Sequence, residues 1–231
     1  METGKTLTTP SLSPQVLIKQ STALPVFQPV VQPAVLLDDQ LTSTSVALGP
    51  LIDPDLDLYS GPVDVPLELQ IPSLEVDVPV VGVGLIKGNI MDAPKGAVGD
   101  SIWQMAYWYR GSGIPGEVGT ATIAGHVNNS LGLPSIFTNL HKLRPGDLII
   151  IHYTKLNIDI RFIVDQRKNY TLLETSYPGV LTKIFGVGPV AGIGPQPALD
   201  GLSHLTLITC AGDLVESQFD QRTVIYAILI D

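Results

Sequence analysis

From residue 67 onward the chain alternates apolar and polar positions. Leu-Glu-Leu-Gln-Ile at 67–71 and Leu-Glu-Val-Asp-Val at 74–78 have the period of two expected of half-buried strands. Residues 80–86 continue the pattern, and a Gly/Pro-rich connection follows through Asp100. A further strand is predicted at 102–108, a turn at 111–116 (Gly-Ser-Gly-Ile-Pro-Gly), and a buried strand at 119–126 that ends on His126. The period changes at 133–143, where Ile136, Leu140 and Leu143 fall on one helical face, and a short helix is predicted there. Pro145-Gly146-Asp147 closes it and opens a strand at 148–153, which pairs as a hairpin with 156–164. Residues 186–201, rich in Gly and Pro, read as a loop. The last strands are predicted at 204–210 and 222–230, joined by an eleven-residue connection. Many short strands with one or two helical turns predict an all-β chain, a closed or nearly closed barrel.

Residues 1–66 carry a different pattern. They hold nine of the nineteen prolines, two basic residues and seven acidic ones. Prolines interrupt the apolar residues Val30, Val31, Leu36 and Leu37 before a period of 2 or 3.6 develops. The prediction is a proline-rich extended arm or linker over 1–66 and a folded domain over 67–231.

With 231 residues and 45% hydrophobic content, the chain can bury a core of ordinary size. A net charge of −9 without a basic run argues against nucleic acid as a partner. No Cys-x-x-Cys is present, so a zinc site is unsupported, and neither a metal nor a cofactor is expected. No run of about 18 apolar residues predicts a membrane span, and the first residues lack the charge and apolar pattern of a signal peptide.

Candidate chemistry gathers at three residues. Cys210, the one cysteine, ends the strand at 204–210, so its thiol is free of any internal disulfide. If the last two strands form an antiparallel hairpin, the end of the first lies beside the start of the second, which makes Cys210 and Arg222 neighbours at one rim. Nothing local fixes His126 there. A thiolate attacks acyl groups, and an imidazole can take the thiol proton and return one to a leaving amine. A guanidinium stays charged and suits an oxyanion. The set fits acyl transfer through a thioester.

The segments Thr-Ile-Ala-Gly-His at 122–126, Phe-Thr-Asn-Leu-His-Lys-Leu-Arg-Pro-Gly-Asp at 137–147, Leu-Thr-Leu-Ile-Thr-Cys at 205–210 and Arg-Thr-Val-Ile-Tyr-Ala at 222–227 resemble the sortase family. They occur in that family's order, and the resemblance covers roughly residues 67–231. It is nearest to the variants called class F or E. It implies a closed eight-stranded sortase barrel with one or two short helices and a sorting-signal groove partly walled by the loop before the cysteine strand. It also implies a cysteine transpeptidase with some peptide hydrolase side activity, which cleaves an LPxTG-like signal between Thr and Gly. By that resemblance Cys210 attacks, His126 protonates the departing amine, and Arg222 holds the signal and steadies the oxyanion. The implied partners are sorting-signal peptides of secreted proteins and an amine acceptor, such as a peptidoglycan peptide or, in pilus assembly, a pilin. The implied location is the extracellular face of a bacterial envelope. Sortases usually carry an N-terminal membrane anchor, which is missing here. The arm would suit a spacer behind one, so truncation is the expectation. Residues 186–199 contain no acidic side chain, so no calcium dependence is expected.

Thr209, beside the nucleophile, is a candidate substrate contact or a strand cap. His141 and His152 read as structural, and His204 as a residue outside the site. Trp103, Tyr107, Trp108 and Tyr109 read as wall and core. Three other functions compete: a thiol hydrolase on the same site, an L,D-transpeptidase, and a non-catalytic wall-attached barrel. The second lacks its Ser-His-Gly-Cys type of motif, since Ile208-Thr209 precedes Cys210. The third requires an inert, buried Cys210.

Overall fold

The computed structural model describes residues 51, 53 and 55–230. Most of the proline-rich arm, residues 1–50, 52 and 54, lies outside the described residues, and so does the prediction made for it. Eight strands close into a barrel in the order β1-β2-β5-β6-β9-β10-β8-β7. They are β1 (Val63–Ile71), β2 (Val76–Val83), β5 (Ala106–Tyr109), β6 (Gly119–Gly125), β7 (Leu148–Tyr153), β8 (Ile158–Thr171), β9 (Ser203–Val215) and β10 (Gln218–Leu229). Two short strands, β3 (Leu85–Ile86) and β4 (Ile90–Met91), pair outside it. β2 runs parallel to β5 and β6 parallel to β9, while the other barrel neighbours are antiparallel. Among the described residues, no helix is long and apolar enough to cross a membrane.

The alternation read from the sequence is what fills the barrel. Leu67, Leu69 and Ile71 of β1, Ile149 and Ile151 of β7, Leu205 and Leu207 of β9, and Ile225 and Ala227 of β10 all point into one buried cluster around Trp108 and Phe162. β9 and β10 are also covered outside. Helix α2 (Pro178–Phe185), preceded by α1 (Leu172–Thr175) and followed by α3 (Val187–Val190), lays Ile184 against Val224 and Tyr226, with Val180, Phe185 and Ile208 packed around them. Coverage on both faces is why β10 reads as a continuous apolar run from Val224 to Leu229. The Thr122 hydroxyl donates to the Ile184 carbonyl at 2.7 Å, and the Lys183 ammonium sits 4.2 Å from the Tyr226 ring centroid. These contacts fix α2 over the outer wall.

Several elements depart from the pattern reading. β1 starts at Val63, upstream of the predicted start at residue 67. A 3-10 turn, Ser101–Gln104, replaces the first half of the strand predicted at 102–108. The helix predicted at 133–143 is absent apart from one 3-10 turn, Leu140–Lys142. Its apolar residues are buried as the pattern requires, together with Phe137. The polar groups of this stretch bond to other segments instead. Ser135 donates to the Trp103 carbonyl, Thr138 to the Val127 carbonyl, and Asn129 Oδ1 accepts from the amides of Leu131 and Leu133. The true helices lie at 172–190, and α3 falls inside the stretch read as a loop.

The eleven-residue connection before Arg222 is also corrected. β9 and β10 continue to Val215 and Gln218 and join through Glu216 and Ser217, both left-handed (φ 49° and 68°). This is the backbone a two-residue hairpin needs, without the Asn-Gly or Asp-Gly that signals it. Replacing Glu216-Ser217 by Asn-Gly relieves two strained residues, and an increase of about 1–2 kcal/mol is expected in chemical denaturation.

Candidate active site

The barrel pattern decides where each candidate points. On β9, Leu205 and Leu207 face inward and Ile208 faces α2, so Cys210 shares the outward side with Ile208. On β10, Ile225 and Ala227 face inward and Val224 and Tyr226 outward, which puts Arg222 outward too. β9 and β10 pair Cys210 directly with Arg222, as the hairpin reading predicts. On β6, Ala121 and Ile123 face inward, and the parallel register sets Ala124 beside Ile208. Two residues further along each chain come His126 and Cys210. Adjacent strands are about 5 Å apart. One cysteine, one histidine and one arginine thus share a rim and a side of the barrel wall.

Cys210 is half-buried and free. It borders a cavity of about 340 Å³ whose far wall includes Phe137, His141 and Asn169. Thr209 is buried, and its hydroxyl donates to the Gly125 carbonyl at 2.8 Å. That bond ties the middle of β9, where its pairing with β6 stops, to the end of β6, one residue before Cys210 and His126. Arg222 is anchored by its own strand. Nη1 donates to the carbonyls of Gln221 (2.7 Å) and Phe219 (3.1 Å), at the register shift between Phe219 and Gln221. Among the described residues it forms no ion pair, and no hydrogen bond engages its other nitrogens.

His126 is the most enclosed of the three. Its Nε2 lies 2.8 Å from the Pro94 carbonyl. The Trp103 ring is 4.7 Å away at a tilt of 53°, and Tyr107 meets it edge-on at 5.7 Å. Burial pushes the imidazole below its ordinary titration range and the nearby Lys95 ammonium adds to this, while the bond to Pro94 opposes it. Tyr107, pushed up to about 12 by burial and by the Asp92 carboxylate, stays a neutral phenol that donates to the Ile102 carbonyl.

Gly125 shows how tightly this end is packed. A Cβ there would meet the Phe137 ring and would lie 2.9 Å from Ile136 Cδ1. Gly125→Ala is expected to lower stability by about 1–3 kcal/mol through overpacking, and to slow turnover because His126 is the next residue. Thermal melting and steady-state kinetics on the same variant check both parts.

The remaining histidines separate by position. His152 pairs with Asp159 at 2.8 Å on β7 and β8. His204 pairs with Asp200 at 2.9 Å, six residues back along β9 from Cys210, about 20 Å of strand. His141 borders the Cys210 cavity, with Nδ1 on the Thr138 carbonyl at 3.1 Å. No local signal reveals that, because a long irregular connection carries His141 there. Trp103 and Pro94 were equally hidden as neighbours of His126. A larger cavity, about 850 Å³, lies between residues 56–59, Arg110 and the α2–α3 region, and none of the three candidates lines it. Trp103, Tyr107, Trp108 and Tyr109 are all buried, as wall and core.

A family model described as the sortase domain matches residues 69–230. The chain belongs to the sortase family. Solved structures similar to this sortase include sortase C-1 from Actinomyces oris, at 19% identity over 78% of each chain with a TM-score of 0.48. Sortase A from Corynebacterium diphtheriae is also 19% identical, over 74% of this chain and 62% of that one, with a TM-score of 0.48. A sortase D5 transpeptidase from Clostridium perfringens is 19% identical over 71% of this chain and 78% of that one, at a TM-score of 0.46. No curated protein matches the chain in sequence.

Proposed function

We propose that this sortase is a cysteine transpeptidase that cleaves an LPxTG-like signal between Thr and Gly and transfers the acyl part to an amine. The single observation that supports the residue assignment is the shared rim: Cys210 paired with Arg222, and His126 level with Cys210 on the parallel neighbour. Cys210 Sγ attacks the threonine carbonyl carbon as its proton passes to His126. The Arg222 guanidinium hydrogen-bonds the oxyanion, with Nη1 held by backbone carbonyls so that the rest of the fork faces the substrate. The C–N bond to glycine breaks, its nitrogen takes the proton from His126, and the thioester remains. An acceptor amine attacks the thioester and loses a proton, the sulfur leaves, and the thiol is restored. Thr209 acts through Gly125, holding β9 level with the end of β6.

The acceptor is a peptidoglycan peptide or a pilin amine at the outer face of the envelope. Incubation with LPxTG and LAxTG peptides and triglycine, followed by mass spectrometry, tests the reading. A ligated product is expected. Acid product alone would make the enzyme a hydrolase. No product, with Cys210 unreactive toward a thiol reagent, would make the barrel non-catalytic.

A further inference from the structure

We infer that Trp103 and the Pro94 backbone carbonyl are positioning groups for His126, which lock its ring so that Nδ1 alone exchanges the proton during acyl transfer. The inference rests on the catalytic reading of His126. It begins with what a carbonyl can do. The Pro94 oxygen accepts and never donates, so the ring nitrogen 2.8 Å from it must carry hydrogen. Nε2–H donates to Pro94 in the neutral imidazole, and it still donates in the imidazolium. The bond therefore survives both halves of the proton cycle, and the ring has no reason to turn when Nδ1 gains or loses its proton. Nδ1 has no hydrogen bond to the described residues and is not among their buried unsatisfied atoms.

Trp103 supplies the second constraint. Its ring lies 4.7 Å from the imidazole and, with the Tyr107 edge at 5.7 Å, confines rotation about the Cβ–Cγ bond. A flip would leave the Pro94 carbonyl facing a carbon. Trp103 is itself fixed. It is 5% exposed, its Nε1–H donates to the Ala97 carbonyl at 2.7 Å, and its own carbonyl accepts from Ser135. Asp100 closes the segment by accepting from the Ala97 amide at 2.7 Å. The stretch from Pro94 to Trp103 is thus a rigid clasp around the imidazole. A third group that orients a base recurs in covalent catalysis, most often as a carboxylate. Here the orienting group is neutral, so it fixes the tautomer without the added basicity of an anion. The charged group near the ring is Lys95 on this clasp; the ionisable Cys210 stands on the neighbouring strand β9, and Arg222 one strand further on β10.

Nitrogen-15 NMR of the imidazole rings in the resting protein, above the His126 titration, reads the tautomer directly, and His126→Ala identifies the signal among four histidines. A protonated Nε2 and bare Nδ1 are expected; a protonated Nδ1 overturns the inference. Trp103→Ala is expected to lower kcat about 10–100-fold with KM within about two-fold, because a small misplacement of the proton carrier costs rate more than binding. The same variant should give a mixed His126 tautomer, and Trp103→Phe should restore most of the rate and the single tautomer. Unchanged kcat and tautomer in Trp103→Ala also overturn the inference. If that variant does not fold, the native spectrum and Trp103→Phe decide. Transfer that persists in His126→Ala would instead sink the catalytic reading, an outcome separate from these.

Discussion

Cys210→Ala is expected to reduce peptide transfer by roughly 10⁴–10⁶-fold while leaving the barrel folded, the scale of loss when a covalent nucleophile is removed. The side chain is half-buried at the rim, and its backbone stands opposite Arg222 in a strand ladder that alanine keeps. Removing one sulfur there opens little space in the core, because the buried cluster is filled from the opposite side of β9 by Leu205 and Leu207. The melting temperature should therefore stay within a few degrees of the parent. Mass spectrometry provides the second reading. The parent incubated with signal peptide and no amine should accumulate a thioester adduct on the peptide containing Cys210, and the variant should show none. Transfer surviving in the variant would remove Cys210 from the mechanism.

Arg222→Ala is expected to lower kcat by about 10²–10³-fold, as the loss of an oxyanion donor does. Arg222→Lys should recover little of it. The structural reason is the division of labour within the guanidinium. Nη1 is held by the carbonyls of Phe219 and Gln221, which leaves the other nitrogens of the planar fork for substrate. An ammonium is a single point of charge. It can satisfy those carbonyls or reach the substrate oxygen, but it cannot hold a fixed fork between them. The two lost backbone contacts are partly solvated and account for a stability change of only about 1–2 kcal/mol. A kcat loss much larger than the accompanying change in KM, in a variant that melts near the parent, is the expected pattern. Equal rates for Arg222→Lys and the parent would argue against the oxyanion role.

The legible parts of the fold were those where one local rule acted alone. The strand at 148–153 was read with its observed limits, since Leu148–Tyr153 is a short strand directly after a Pro-Gly turn. The pairing of Cys210 with Arg222 survived a wrong estimate of the connection between them. Lengthening both strands toward a tight turn shifts neither partner, because each strand gains a similar number of residues. Where tertiary bonds compete, the pattern failed. Ile136, Leu140 and Leu143 are spaced for a helix, yet Ser135 and Thr138 bond to distant carbonyls, and the chain folds irregularly over the core. Helix α2 was missed because its apolar residues cover the outside of β9 and β10, a surface that exists only after the barrel has closed.

The sequence by itself determined the residue types, the strands that carry them and one contact of the site, the Cys210–Arg222 pair. Hairpin neighbours are joined by a short chain, so their closeness follows from connectivity and little entropy opposes it. Only the tertiary structure decided that His126 completes the rim. Its strand meets the cysteine strand in parallel, with Gly125 and Thr209 separated by 84 positions in sequence, and parallel neighbours need a long crossover whose course no local pattern reveals. The clasp around the imidazole belongs to the same class. The Pro94 carbonyl is a backbone group with no signature of its own, and Trp103 looks like any core aromatic until the closed barrel brings its ring against His126.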